Sequence, residues 1–112
     1  MRRQTHLPDD LIARRGWQIK PTSPARRLLA DAVSSLHALG QDDLVSLDRY
    51  AKAAERIASL DVHAVLRRPN MDSMLEGVVI GTVLGDTLLA ALRRLAQEHL
   101  SSQATVATPA RR

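Results

Sequence analysis

The sequence predicts an all-α fold: a helical hairpin followed by one long apolar C-terminal helix, completed by dimerisation. Apolar residues recur at spacings of three and four through much of the chain, and glycine or proline stands at the expected helix ends. Aromatic residues are 2% of the 112 residues, so the core must be aliphatic, as in helical bundles. The absence of cysteine excludes disulfides and suits a reducing compartment, and we expect a cytoplasmic protein.

Residues 1–22 are predicted to form a basic, partly ordered N-terminal arm. Its apolar residues are scattered, and Asp9 and Asp10 with the later Gly16 frame one or two helical turns at most. Trp17 is the expected anchor of the arm, because a lone tryptophan is usually a packing residue. The charged start lacks the apolar centre of a signal peptide, which argues against secretion by that route.

The helical domain is predicted at 23–100 and begins with a hairpin of two helices, 24–39 and 43–60. Ser23 is suited to the N-cap and Pro24 to the first helical position, while Gly40 is suited to the left-handed residue that ends a helix. Asp43 is favourable in the first turn of the second helix because its negative charge lies at the positive end of the helix dipole. The short turn between them predicts an antiparallel pair.

The third predicted helix, 71–100, is too long and too apolar for the rest of the chain to cover. Its length is roughly 45 Å against roughly 24 and 27 Å for the other two. Asn70 is its expected cap, and Val79 and Val83 interrupt the stripe that would otherwise be polar. We therefore expect a second copy of the chain or a partner protein to cover it. Residues 101–112 are predicted to be a flexible tail.

Three glycines, Gly77, Gly81 and Gly85, share one ridge of this helix. Each costs about 1 kcal/mol relative to alanine inside a helix, which favours close approach of another backbone over simple tolerance of glycine. Glu76 and Asp86 argue against a membrane span, because a carboxylate at mid-membrane depth costs about 3 kcal/mol. The predicted partner or dimer interface comprises Met74, Gly77, Val78, Val79, Gly81, Thr82, Val83, Gly85, Leu88, Leu89 and Leu92.

Charge and motifs argue against nucleic-acid binding and catalysis. The net charge is +4, yet residues 28–100 hold seven basic and ten acidic residues, a net of −3, so the basicity belongs to the ends. The four histidines lack metal-ligand spacing, and the glycine segment lacks the lysine of a phosphate loop. We predict a protein that is not an enzyme and has no metal or cofactor.

In size, helical layout, lack of cysteine and long apolar helix, the chain resembles the small quorum-sensing antiactivators of the QslA type. That resemblance implies a dimer that binds a LasR-type transcription activator and blocks the activator's dimerisation and DNA binding. The segment Leu36–Ala53, LHALGQDDLVSLDRYAKA, is similar to a hairpin of phage terminase small subunits, which form rings and bind viral DNA. The acidic body favours the antiactivator interpretation, and a DNA-binding oligomer of terminase type is the alternative.

Overall fold

A computed structural model describes the backbone of residues 2–107 and the side chains of residues 7–104. Within that range all regular secondary structure is α-helical, with α1 at Arg2–Arg15, α2 at Pro24–Ala38, α3 at Leu47–Leu66 and α4 at Met71–Ala107. The all-α class, the hairpin arrangement and the long apolar C-terminal helix are confirmed. The chain divides into two compact units, 1–57 and 58–112, and the boundary lies within α3.

The predicted arm contains a 14-residue helix, which is longer than the one or two turns expected. Pro8 lies inside α1 and is fully buried, while Leu11 is 3% exposed. An interior proline removes one backbone hydrogen bond, and burial of these two apolar side chains offsets that cost. α1 packs against α2, and an ion pair between Asp9 and Arg26 adds to that contact.

The first two helices end in the same way, at a glycine with positive φ. Gly16 has φ 69° and Gly40 has φ 68°, as predicted for Gly40. At the C-terminal end of α2, the Gly40 N–H donates to the His37 carbonyl (2.9 Å) and the Gln41 N–H donates to the Leu36 carbonyl (2.8 Å). This pair of bonds is the Schellman motif, which satisfies the last carbonyls of a helix and requires a left-handed residue. An equivalent pair, both 3.1 Å, closes α1.

The start of α2 and the connection to α3 differ in detail from the prediction. Ser23 occupies the N-cap position, but its side chain makes no capping hydrogen bond. α3 begins at Leu47 rather than at residue 43, because a turn in which the Leu44 N–H donates to the Gln41 carbonyl (3.1 Å) comes first. The connection therefore covers residues 39–46 and is longer than the predicted turn.

The core of the first unit is small. Its buried apolar residues are Pro8 and Leu11 of α1, Val33 of α2 and Ala51 of α3. Four residues at this level of burial, two of them small, supply only a few kcal/mol, at about 1.5–3 kcal/mol for a large apolar side chain. Polar contacts between the end of α1 and α3 supplement this core.

α4 begins and ends where its sequence permits. Asn70 caps it as predicted, since the Ser73 N–H donates to the Asn70 Oδ1 (2.8 Å). The helix runs for 37 residues and continues beyond the predicted end at residue 100. Residues 101–107 contain no glycine or proline, so nothing in that stretch of the predicted tail breaks the helix. Residues 108–112 of the tail lie outside the described residues.

Candidate interaction surface

α4 exposes large apolar side chains all around its axis. Among its residues with described side chains, Gly77 alone is buried. The exposed fractions of Val79, Val83 and Leu88 are 62%, 65% and 61%. The sequence predicted a covered helix, and the described part of the chain does not cover it. An apolar surface of this extent is typical of interaction sites rather than of a freely solvated helix.

The predicted interface residues differ in their surroundings. Met74 and Gly85 are half-buried, and Gly77 is buried. The others are exposed, namely Val78, Val79, Gly81, Thr82, Val83, Leu88, Leu89 and Leu92. The Thr82 hydroxyl donates to the Val78 carbonyl within the helix (2.8 Å), so its polar group already has a partner.

At about 100° per residue, the predicted interface divides into two faces of α4. We define the glycine face as Met74, Gly77, Val78, Gly81, Gly85, Leu88 and Leu92. We define the outer ridge as Leu75, Val79 and Val83, which lie four residues apart on the opposite half of the helix. Thr82 and Leu89 lie on one flank between them.

The charges of α4 are confined to the half that carries the outer ridge. They are Asp72, Glu76, Asp86, Arg93, Arg94 and Glu98, of which Asp72 lies about 180° from Gly81 around the helix. The glycine face therefore carries no ionised group from Met74 to Leu92. The outer ridge, in contrast, is an apolar strip with charges on both sides.

Arg68 occupies the space beside the first glycine. A Cβ added at Gly77 would lie 2.7 Å from the Arg68 Nη1 and 3.0 Å from its Cδ. The Arg68 Nε donates to the Ser73 Oγ (3.1 Å), and its Nη2 lies 3.9 Å from the Glu76 Oε1. Within the chain, the close neighbour of Gly77 is thus the side chain of Arg68.

The other two glycines have open space beside them. Among the described residues, a Cβ added at Gly81 or Gly85 would meet no atom within 4 Å. Packing against the described part of the chain therefore gives no reason for glycine at either position.

An open groove of about 530 Å³ lies between the last turns of α3 and the first turns of α4, within the second unit. Most of its lining is aliphatic, and Asp61 and Arg68 contribute its charges. The lining residues are Asp61, Val62, Ala64, Val65, Leu66, Arg68, Gly77, Val78, Gly81 and Thr82. The glycine face thus forms one wall of this groove along its first half.

The described residues hold no group of three or more histidine, aspartate or glutamate side chains that could bind a metal ion. The His37 Nδ1 lies 3.1 Å from the Asp42 Oδ1, and the His63 Nδ1 lies 2.6 Å from the Ser59 carbonyl oxygen. Each contact is local in sequence. They orient side chains near helix ends and do not assemble a reactive cluster.

The arginines of the arm are largely paired with carboxylates. Arg14 lies 2.9 Å from Asp48, and Arg15 lies 2.8 Å from Glu55. The Trp17 indole N–H also donates to Glu55 (2.9 Å), so the expected anchor contacts α3 through its polar edge. Hydrogen bonds from Arg15 and Trp17 lower the pKa of Glu55. These pairs reduce the positive surface available to a polyanion; Arg2 and Arg3 have side chains outside the described part.

By length and composition alone, α4 from Met71 to Ala104 could cross a membrane. Little of this stretch is buried within the chain. It contains Glu76 and Asp86, whose charge opposes insertion.

The sequence prediction missed Arg68, which determines how much of the glycine face is open. The available signal was its position two residues before the N-cap Asn70, from which a long side chain reaches the first turns of the following helix.

Comparisons of the chain with protein-family models, curated proteins and solved structures found no match.

Proposed function

We propose that the protein is a non-enzymatic regulator that binds a transcription activator through the outer ridge of α4. Binding prevents the activator from dimerising and so from binding DNA. The observation that carries the proposal is the exposure of Leu75, Val79 and Val83, at 57%, 62% and 65%, along one side of a continuous helix.

The spacing of the outer ridge suits recognition of a helix by an apolar groove. Anchors at successive turns of an amphipathic helix insert into such a groove. Burial of each half-exposed side chain contributes about 1–2 kcal/mol at 25 cal/mol per Å². The adjacent charges Asp86 and Arg93 would then select among apolar grooves by electrostatic complementarity.

The choice of an activator rests on the resemblance to QslA-type antiactivators and on the charge of the chain. A regulator that acts by covering an activator's dimer interface needs an apolar surface and no DNA-binding face. Arg14, Arg15 and Arg26 are paired with carboxylates, which suits that role better than direct contact with phosphates.

The test is affinity capture from a native lysate with the full chain as bait, followed by identification of the bound protein. We expect a transcription activator to be recovered and its DNA complex to be lost in a gel-shift assay when the chain is added. Val79→Glu on the outer ridge should abolish both effects. Leu28→Glu, at a 70% exposed position of α2, is the matched control and should retain them.

Two outcomes would overturn the proposal. Recovery of only a large terminase subunit or nucleic acid would favour the DNA-binding oligomer of terminase type. Flotation of the wild-type chain with phosphatidylcholine vesicles, without capture of an activator, would assign α4 to the bilayer.

A further inference from the structure

We infer that the glycine face of α4 pairs with the same face of a second copy of this chain. The two helices run antiparallel and cross at Gly81 and Gly85. The C-terminal half of α4 from each copy then occupies the groove between α3 and α4 of the other. This inference concerns the face opposite the outer ridge and does not depend on the identity of the activator.

The open space beside two glycines is the first argument for a second backbone. Gly81 and Gly85 together cost about 2 kcal/mol relative to alanine, and no neighbour among the residues with described side chains requires either. A helix without side chains along one strip allows another helix to approach below the usual interaxial distance of about 8–10 Å. From Gly81 to Leu92 the glycine face carries no charged side chain that such an approach would have to desolvate, and the charges of Asp61 and Arg68 are confined to its groove end.

The unequal surroundings of the two halves of α4 give the second argument. In the second unit, the last turns of α3 line a groove with α4 only as far as Thr82. Beyond it, Leu88, Leu92 and Leu95 are 61%, 54% and 61% exposed. Each copy thus has an open apolar groove at one end of the glycine face and exposed apolar side chains at the other.

Antiparallel pairing places the C-terminal half of α4 of one copy against the groove of the other. If the crossing is centred between Gly81 and Gly85, Gly81 of one copy faces Gly85 of the other, and the numbers of any two facing residues sum to 166. Leu88 then faces Val78 of the second copy, and Leu92 faces Met74. A parallel pair would instead place both grooves at the same end of the dimer. The two C-terminal halves would then contact only each other, and neither would enter a groove.

The charges along α4 also favour the antiparallel direction. The first turns carry Asp72 and Glu76, while Arg93 and Arg94 lie near the other end, where Glu98 leaves a net charge of +1. In an antiparallel pair, the acidic turns of one copy lie at the level of the basic turns of the other. The two helix dipoles also point in opposite directions, which is the favourable arrangement. Because these charges lie on the outer half of the helix, they bias the direction and contribute little to the affinity.

The buried area is sufficient for a specific pair. A large aliphatic side chain has about 120 Å² of apolar surface, so one that is 60% exposed still offers about 70 Å². About seven such side chains would be covered in each copy, which gives about 500 Å². Two copies would bury about 1,000 Å² before the glycine backbone is added, close to the lower limit for a specific interface. The side chains counted are Val62, Leu66, Val78, Leu84, Leu88, Leu92 and Leu95.

Analytical ultracentrifugation of the full chain tests the pairing. We expect a reversible dimer, and Gly81→Leu should weaken it at least tenfold. Ala90→Leu introduces the same side chain at an exposed position on the opposite half of α4 and should leave the dimer unchanged. A wild-type monomer at high concentration, or a larger ring, would overturn the inference. Circular dichroism establishes that each variant remains helical.

Disulfide cross-linking tests the direction and does not require Gly81→Leu to fold. The chain has no cysteine, so Val78→Cys and Leu88→Cys introduce single thiols at exposed positions. A mixture of the two variants should form a mixed disulfide on mild oxidation. Efficient cross-linking of Val78→Cys with itself would contradict the antiparallel pair. Capture of the activator by monomeric Gly81→Leu would separate this inference from the proposed function, which uses the other face.

Discussion

Arg68 and Gly77 should be energetically coupled, and a double-mutant cycle measures the coupling. Gly77→Ala gains up to about 1 kcal/mol of helix propensity. The added Cβ would lie 2.7 Å from the Arg68 Nη1, so the guanidinium must move. That movement sacrifices the 3.1 Å hydrogen bond to Ser73, which is worth about 0.5–1.5 kcal/mol. The two terms nearly cancel, and we expect almost no net change in the free energy of unfolding.

In an Arg68→Ala background the clash is absent, and Gly77→Ala should stabilise the protein by about 1 kcal/mol. The coupling energy is therefore about 1 kcal/mol, which urea unfolding followed by circular dichroism can resolve. Gly81→Ala is the control, since a Cβ there meets no atom within 4 Å and its effect should be the same in both backgrounds. Equal stabilisation by Gly77→Ala with and without Arg68 would refute the placement of Arg68 beside that glycine.

Three further predictions concern the folded chain. Leu11→Ala should lower the free energy of unfolding by about 2–5 kcal/mol in urea titration, whereas Leu28→Ala, at a 70% exposed position, should change it by less than about 0.5 kcal/mol. Asn70→Ala should cost about 1 kcal/mol in the same assay through loss of the α4 cap, and Asn70→Asp should retain most of it. The pKa of Glu55 is lowered in the folded chain, so its carboxylate stabilises the fold fully above the ordinary pKa of glutamate, and this stabilisation declines as the pH falls through the lowered value. Thermal melts across acidic pH should show this decline in the wild type and a smaller one in Glu55→Gln.

Helix starts and stops were predictable where one residue type has a strong local preference. Gly40 adopts the left-handed conformation, and the Asn70 Oδ1 accepts a hydrogen bond from the Ser73 N–H, as expected for a cap. These outcomes follow from backbone geometry, which neighbouring residues in sequence largely determine. The apolar character of α4 was predictable for the same reason, since it is a property of composition and periodicity.

The N-terminal helix was not predicted in full because its stabilising contacts are distant in sequence. Pro8 within a weakly patterned segment argues against helix. The structure compensates through burial of Pro8 and Leu11 and through the contacts of Arg15 and Trp17 with Glu55, about 40 positions later. No periodicity in residues 1–22 indicates those partners. The same limitation applies to Arg68, whose contact with Gly77 depends on the corner between α3 and α4.

The glycine face and the outer ridge lie on opposite sides of α4, and this placement determines how many target molecules a pair of chains can bind. A pair joined through the glycine face would direct its two outer ridges, each containing Val79 and Val83, away from each other. Such a pair is bivalent, so it can hold two target molecules without competition between self-pairing and target binding. A target that is bound as a monomer would give a discrete assembly of two chains and two targets. A target that remained dimeric would instead be linked into open chains, and light scattering of the mixture would distinguish the two.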